Sequence, residues 1–282
     1  MIISVASGKG GTGKTTIATA LAISVGYCQF FDFDVEAPNA SFFLKPDIKH
    51  IQKVKIKQPV FLTDTGKSFE KCTQFCHYNA VAVAGAEVIF FPELCHGCGG
   101  CILVGPQGSV REEDRVVGEI RKGTASPNIE FFMGDLKPGS MRTTEIQNAL
   151  EKYIEQEKLV IIDCPPGTSC SMVTAVRNSN CCILVTEPTP FGLNDLTLSI
   201  DVVKELGIPF GVIINRDGIG NSEVENYCTQ NSVKILAKFP YDMNIARSYS
   251  KGEAIISGRP ELKEKFTDIA NKVIKDTEAG QL

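Results

Sequence analysis

Ile2-Ile3-Ser4-Val5-Ala6-Ser7-Gly8-Lys9-Gly10-Gly11-Thr12-Gly13-Lys14-Thr15-Thr16-Ile17 is the stretch that decides the fold. An apolar run of strand length passes into a glycine loop ending in Lys-Thr, and helical spacing over 14–26 follows. Strand, loop and helix in that order are the context of a Walker A phosphate loop. Its glycines let backbone N–H groups converge on phosphates without Cβ clashes, and the helix N-terminus adds the positive end of its dipole. Gly8, Gly10, Gly11, Thr12, Gly13, Lys14, Thr15 and Thr16 are therefore the expected nucleotide-binding residues. Lys14 is expected to neutralise the β- and γ-phosphates, and the Thr15 hydroxyl to ligate Mg2+.

Working outward, apolar runs recur at 28–33, 129–133, 159–163, 181–186, 210–215 and 233–238, rich in Val, Ile and Phe on both faces. Helical spacing appears at 141–157, 194–206, 221–230 and 261–275. Strands without a polar face that alternate with helices predict a doubly wound, mostly parallel α/β sheet with its site at the carboxyl ends of the strands. Val160-Ile161-Ile162-Asp163 reads as a Walker B strand whose Asp163 holds Mg2+ through water. Phe31-Asp32-Phe33-Asp34 ends another strand at the same edge, where Asp34 is placed to orient the attacking water and to reach Mg2+ through water. The competing role for Asp32 and Asp34 is capping a helix or shaping a turn.

Residues 46–125 break this rhythm, being short-patterned and rich in Cys, Gly and Pro. They read as hairpins with one brief helix, a small α+β domain inserted into a main domain of 1–45 plus 126–282. Within it Lys49, Lys53, Lys55 and Lys57 flank Val54 and Ile56 in alternation, as on a solvated edge strand. A core this thin calls for a metal staple. Cys95, Cys98 and Cys101 fill the first three places of the ferredoxin pattern C-x2-C-x2-C-x3-C-P, and Gly105-Pro106 stand where Cys-Pro would end it. Upstream, Cys72 and Cys76 match the third and fourth places of a first copy, with Gly66 and Phe69 at its first two. In that pattern each fourth Cys serves the other cluster. One complete ligand set results, Cys76, Cys95, Cys98 and Cys101, and it predicts a single 4Fe-4S cluster with Cys72 left over. Zinc on four thiolates is the competing metal. His77 and His96 read as loop residues.

The chain has 282 residues, with 43% hydrophobic and 22% charged. Its net charge of −4 argues against general nucleic-acid binding. No apolar stretch is long enough to span a bilayer. The N-terminus lacks the basic region of an export signal, so a reducing cytoplasm is the expected compartment, where clustered thiols read as metal ligands before disulfides. The last helix places Leu262, Phe266, Ile269, Ala270, Val273 and Ile274 on one face, expected to pack on the sheet because acidic residues dilute its basic side. Cys28, Cys181, Cys182 and Cys228 lie in strand or helix patterns and read as buried filler. Cys164 has no assignment.

The loop's second lysine, Lys9, together with Asp32-Phe33-Asp34 and Pro38-Asn39, and with Asp163-Cys164-Pro165-Pro166-Gly167, resembles the deviant Walker A family of MinD/Mrp P-loop ATPases. The resemblance covers nearly all of the chain outside 46–125, and that insert is similar to a degenerate ferredoxin module. It implies a Mg2+-dependent ATPase that dimerises, with itself or a paralogue, around two nucleotides. Lys9 would touch the partner's phosphates across the dimer, Asn215 and Arg216 would contact the adenine, and Pro240 and Asp242 would flank the base. Cys170 stands at the spacing of a cluster-ligating cysteine in the nitrogenase iron protein. Its rival role is a small packed residue at a helix start. The combination implies ATP turnover coupled to electron transfer or metalloenzyme activation through one cluster, with a redox or iron–sulfur client as partner and no stable membrane insertion. An iron–sulfur carrier or assembly ATPase is the alternative, and a positioning or partition ATPase leaves the thiols unexplained.

Overall fold

The computed structural model describes residues 1–63, 67–85, 87–126, 128–257 and 259–282. In chain order the elements are β1 (Ile2–Ala6), α1 (Lys14–Val25), β2 (Tyr27–Asp32), α2 (Ala40–Leu44), β3 (Asp47–Phe61), α3 (Glu70–Phe75), β4 (Val81–Ala84) and β5 (Glu87–Phe90). Then come α4 (Gly100–Val104), β6 (Val110–Ala125), β7 (Asn128–Leu136), α5 (Thr143–Glu151), β8 (Val160–Asp163), α6 (Cys170–Val176) and β9 (Cys181–Thr186). The chain ends with α7 (Pro190–Glu205), β10 (Phe210–Asp217), α8 (Glu223–Gln230), β11 (Ile235–Pro240), α9 (Met243–Ser250) and α10 (Pro260–Glu278).

Nine strands form one sheet in the order β11-β10-β9-β1-β8-β2-β7-β6-β3. Neighbours from β11 to β7 are parallel, while β6 and β3 continue the sheet antiparallel. Successive side chains leave a strand on opposite faces, so the Phe30-Phe31 pair serves two cores. Phe30 stacks on Phe131 on one face and Phe31 on Phe132 on the other, with ring centroids 5.9 and 4.5 Å apart. The first face is covered by α1 and α10 through Ile17, Leu21, Phe266 and Val273. The second is covered by α5 to α8 through Ile146, Leu150, Met172, Leu196, Ile200 and Val224. Phe266 stacks on Phe239 at 4.8 Å, so α10 is a sheet-packing helix. No helix of the described residues is long and apolar enough to cross a membrane.

The predicted strands all appear, with ends shifted by at most three residues. The helix expected at 141–157 is shorter: it stops at Glu151, where tight turns from Tyr153 N to Leu150 O (3.0 Å) and from Ile154 N to Glu151 O (3.1 Å) replace it. Tyr153 and Ile154 still pack on the core, which is why the apolar period runs on past the helix. The helix expected from 194 begins instead at Pro190, with the Thr189 hydroxyl accepting from Gly192 N at 3.0 Å. Pro at the first position gives up an N–H that has no helical partner.

Residues 46–125 differ most from expectation. Two long strands, β3 and β6, pair along their lengths, from Asp47 opposite Thr124 to Phe61 opposite Val110. Gly118–Ala125 of β6 also pairs with β7, so the ribbon is continuous with the main sheet. Two short helices, α3 and α4, and the β4-β5 hairpin sit at its far end. β3 is the outermost strand, as its lysines predicted, and Lys55 and Lys57 both reach Asp114, at 3.1 and 2.7 Å. The lobe carried at the tip has a core of three buried side chains among the described residues, Phe69, Cys72 and Val81.

Candidate functional site: a phosphate loop and a thiol-lined lobe

β1 lies between β8 and β9, and the register sets Val5 and Asp32 on either side of Asp163. The glycine loop that leaves β1 therefore rises beside the carboxylates that end β8 and β2. Gly11 and Gly13 adopt φ of 81° and 92°, backbone that L side chains resist. A Cβ on Gly13 would lie 2.3 Å from Asn215 Nδ2, which donates to Thr12 O at 2.8 Å. The predicted adenine residue thus braces the phosphate loop from the end of β10. Pro240, opposite Asp217, ends the neighbouring strand, and the Asp242 carboxylate caps α9 by accepting from Asn244 N at 2.7 Å.

Lys14 is buried, with Nζ 3.8 Å from Asp163 Oδ1. Burial opposes its charge, but the carboxylates of Asp163 and Asp34 outweigh that and hold its pKa above the ordinary value. Asp163 is fully buried, and neither oxygen has a hydrogen-bond partner of good geometry among the described residues. Burial raises its carboxyl pKa, and Lys14 only partly offsets this. A buried carboxylate so poorly compensated beside a threonine hydroxyl fits a bound divalent cation. Thr12 Oγ1 is likewise buried, without a partner among the described residues, and is available to a phosphate. Asp34 is half-buried; burial first, with Asp163 adding, lifts its carboxyl to about 6 against the pull of Lys14. Asp32 takes the structural role: its carboxylate accepts from Asp34 N, Asn39 N and Ala40 N at 3.0–3.1 Å and so holds the start of α2.

Glu187, not singled out from sequence, directly follows β9 at the same edge. It is buried and pairs with both Lys9, Nζ to Oε2 3.3 Å, and Arg216. Its position directly after a buried strand was the available signal. Arg216 itself adopts φ 55°, a left-handed conformation uncommon for a residue with a Cβ.

Cys76, Cys95, Cys98 and Cys101 line one cavity in the lobe, with Tyr78 and His96 stacked at its rim, ring centroids 3.4 Å apart. Ala80 N donates to Cys76 Sγ at 3.3 Å and Gly97 N to Cys95 Sγ at 3.4 Å. Burial, and then Cys72, Cys76, Cys95 and Cys98 around it, push the Cys101 thiol up to about 12. Thiols that resist ionising together need a cation to become ligands, and the N–H donors already face their sulfurs, so the donor set fits an iron–sulfur group. Among the described residues no three His, Cys, Asp or Glu side chains converge closely enough to share a single ion.

The places that the sequence pattern would give to another cluster, Phe69, Cys72 and Gly105, are occupied by packing. Phe69 is buried edge-on against Phe61, and Cys72 is buried with Sγ directed at Cys101 O, 3.7 Å away. A Cβ on Gly105 would lie 2.5 Å from Cys101 O and 2.8 Å from Val110. Gly66 lies outside the described residues. Elsewhere Cys28, Cys164, Cys181, Cys182 and Cys228 are buried, which settles Cys164 as a packed thiol, and burial pushes Cys182 up to about 12. Cys170 starts α6 as expected but is exposed there, not packed.

A glycine loop between the central strand and first helix of a parallel sheet, facing a neighbouring strand's carboxylate, defines the class of P-loop nucleotide-binding proteins. The chain belongs to the CobQ/CobB/MinD/ParA nucleotide binding domain family, whose model matches residues 3–255. It is similar to the uncharacterized protein MJ0579 of Methanocaldococcus jannaschii, with 31% identity over 97% of this chain and 98% of that one. It also resembles the iron-sulfur cluster carrier protein of Pyrococcus abyssi, with 23% identity over 96% of this chain and 85% of the relative. Among solved structures, the septum site-determining protein MinD of Pyrococcus horikoshii, complexed with Mg-ADP, shares the fold: TM-score 0.56, 22% identity, 96% of this chain and 95% of that one covered.

Proposed function

We propose that the protein hydrolyses ATP with Mg2+ as a dimer, and couples that turnover to one 4Fe-4S cluster in the lobe, for electron transfer to, or activation of, a client metalloenzyme. The observation that carries this is the pairing, in one chain, of a phosphate loop facing the buried, only partly compensated Asp163 with a lobe whose thiols share one cavity. Gly8, Gly10, Gly11, Thr12, Gly13 and Thr16 would cradle the phosphates, Lys14 would neutralise them, and Thr15 and Asp163 would hold the cation. Asp34 would orient the attacking water once ionised. Lys9 would leave Glu187 for the partner's phosphates, while Asn215, Arg216, Pro240 and Asp242 would surround the base. Cys76, Cys95, Cys98 and Cys101 would ligate the cluster, which when bound supplies one-electron redox chemistry. The N–H groups of Ala80 and Gly97 would steady the thiolate charge.

Protein purified without oxygen should carry about four irons per chain and accept an electron reversibly. Lys14→Ala should lower hydrolysis about 1000-fold, on the scale of losing a phosphate-stabilising group, and leave iron content unchanged. Zinc in place of iron, or hydrolysis indifferent to Lys14, would sink the proposal. The second reading, a cluster carrier, is favoured by the name of the Pyrococcus abyssi relative. There the cluster is cargo, and ATP-stimulated transfer to an apo-acceptor distinguishes it from electron donation with the cluster retained.

A further inference from the structure

Arg142 is buried at the N-terminal boundary of α5, an unusual place for a charge. Its Nη2 donates to Glu93 O at 3.2 Å, in the loop that carries Cys95, and its Nε has no hydrogen-bond partner among the described residues. The guanidinium lies close enough to Cys95 and His96 to act on both electrostatically. Five residues further along α5, the fully buried Gln147 donates from Nε2 to Phe33 O at 2.9 Å, the carbonyl between Asp32 and Asp34. Leu136 N, just ahead of α5, donates to Val35 O at 2.9 Å.

One short helix therefore holds the thiol loop at its N-terminal boundary, through Arg142, and the Asp34 segment at its middle, through Gln147. It has little room to slip. A Cβ on Gly134 would lie 2.6–2.7 Å from Val35 and Ile146, and one on Gly118 would lie 2.3 Å from Ile146. The thiol loop has a second anchor, Arg115 to Pro92 O, but that one belongs to the β3-β6 ribbon and stays within the lobe's own stem. Close packing of this kind moves as a unit and does not deform continuously.

We infer that Arg142 and Gln147 are positioning residues that make α5 the connecting rod between the phosphate site and the thiol loop. The inference deepens the proposed coupling and rests on it. Displacement of Phe33 and Asp34 by Mg2+ and nucleotide would pull on Gln147, shift α5, and carry the Arg142 guanidinium relative to Glu93 and Cys95.

The test uses full-length protein with its lobe metal in place, and its first readout is backbone exchange, which needs neither hydrolysis nor electron transfer. Hydrogen exchange of peptides spanning 91–101 and 8–16 would be followed with and without Mg2+ and a non-hydrolysable ATP analogue. In the unaltered protein both peptides should change their exchange rates on nucleotide addition. In Gln147→Met and in Arg142→Gln the 8–16 response should persist, with analogue affinity within about twofold, while the 91–101 response falls at least threefold. In iron-loaded protein the same variants should abolish any nucleotide-dependent shift of reduction potential. Protection of 8–16 without any response at 91–101 in the unaltered protein would overturn the inference and leave nucleotide binding standing. A 91–101 response undiminished in Gln147→Met, the milder of the two variants, would overturn it equally. No response at 8–16 would remove the nucleotide reading and the inference together.

Discussion

The phosphate loop and the thiol cavity both gather charged groups, but they are held in very different ways. The loop springs from β1, an interior strand of a nine-stranded sheet with fully buried aromatic pairs on both faces. The thiols sit on a lobe whose apolar cluster has three buried members among the described residues, at the end of a two-stranded ribbon. A two-stranded ribbon is marginal by itself, and a small lobe without a staple is too. The sheet can therefore preform its site before any ligand arrives, whereas the lobe must obtain much of its order from whatever its thiols bind.

The sharpest break between the two regions should come from stripping the metal. Iron removal with a chelator should expose 62–109 to limited proteolysis and leave the sheet's unfolding midpoint within a few degrees of its starting value; structural metal binding is worth about 10 kcal/mol or more in small domains. A lobe equally resistant with and without iron would erase the contrast. Next in size, Phe31→Ala should cost about 3–5 kcal/mol in urea unfolding by opening a cavity beneath Phe132, with iron content unchanged.

The smallest effect concerns Asp34. Folding raises this carboxyl from its ordinary 3.8 to about 6, so between those values the folded state holds the proton more tightly than the unfolded chain. The stability this contributes is complete below pH 3.8 and lost above about 6. Asp34→Asn should accordingly stabilise the nucleotide-free protein at pH 7.5 by about 1–2 kcal/mol, allowing for partial solvent screening, and do little at pH 4. It should also depress hydrolysis. Equal stabilisation at both pH values would remove the electrostatic explanation.

How much was legible from sequence follows the same divide. Strands buried on both faces are continuous apolar runs, so β1, β8 and β9 stood out, and the Walker loop fixed where their ends converge. Ligand spacing within seven residues is also local, so Cys95, Cys98 and Cys101 could be grouped. What stayed hidden depends on distant pairing. Nothing in 47–61 says that it pairs with 110–125, and nothing in Arg142 or Gln147 says which carbonyl each will meet. α2 and α6 span only five and seven residues, too few turns for a periodic signal.

Gly105 carries a further consequence. Where a ferredoxin-like ligand would stand, the backbone has closed until a single methylene group would collide with Cys101 O and Val110. Placing a cysteine there would push Cys101 aside before adding a usable sulfur. A second metal-binding position could not be added there by a single substitution without first rebuilding the turn.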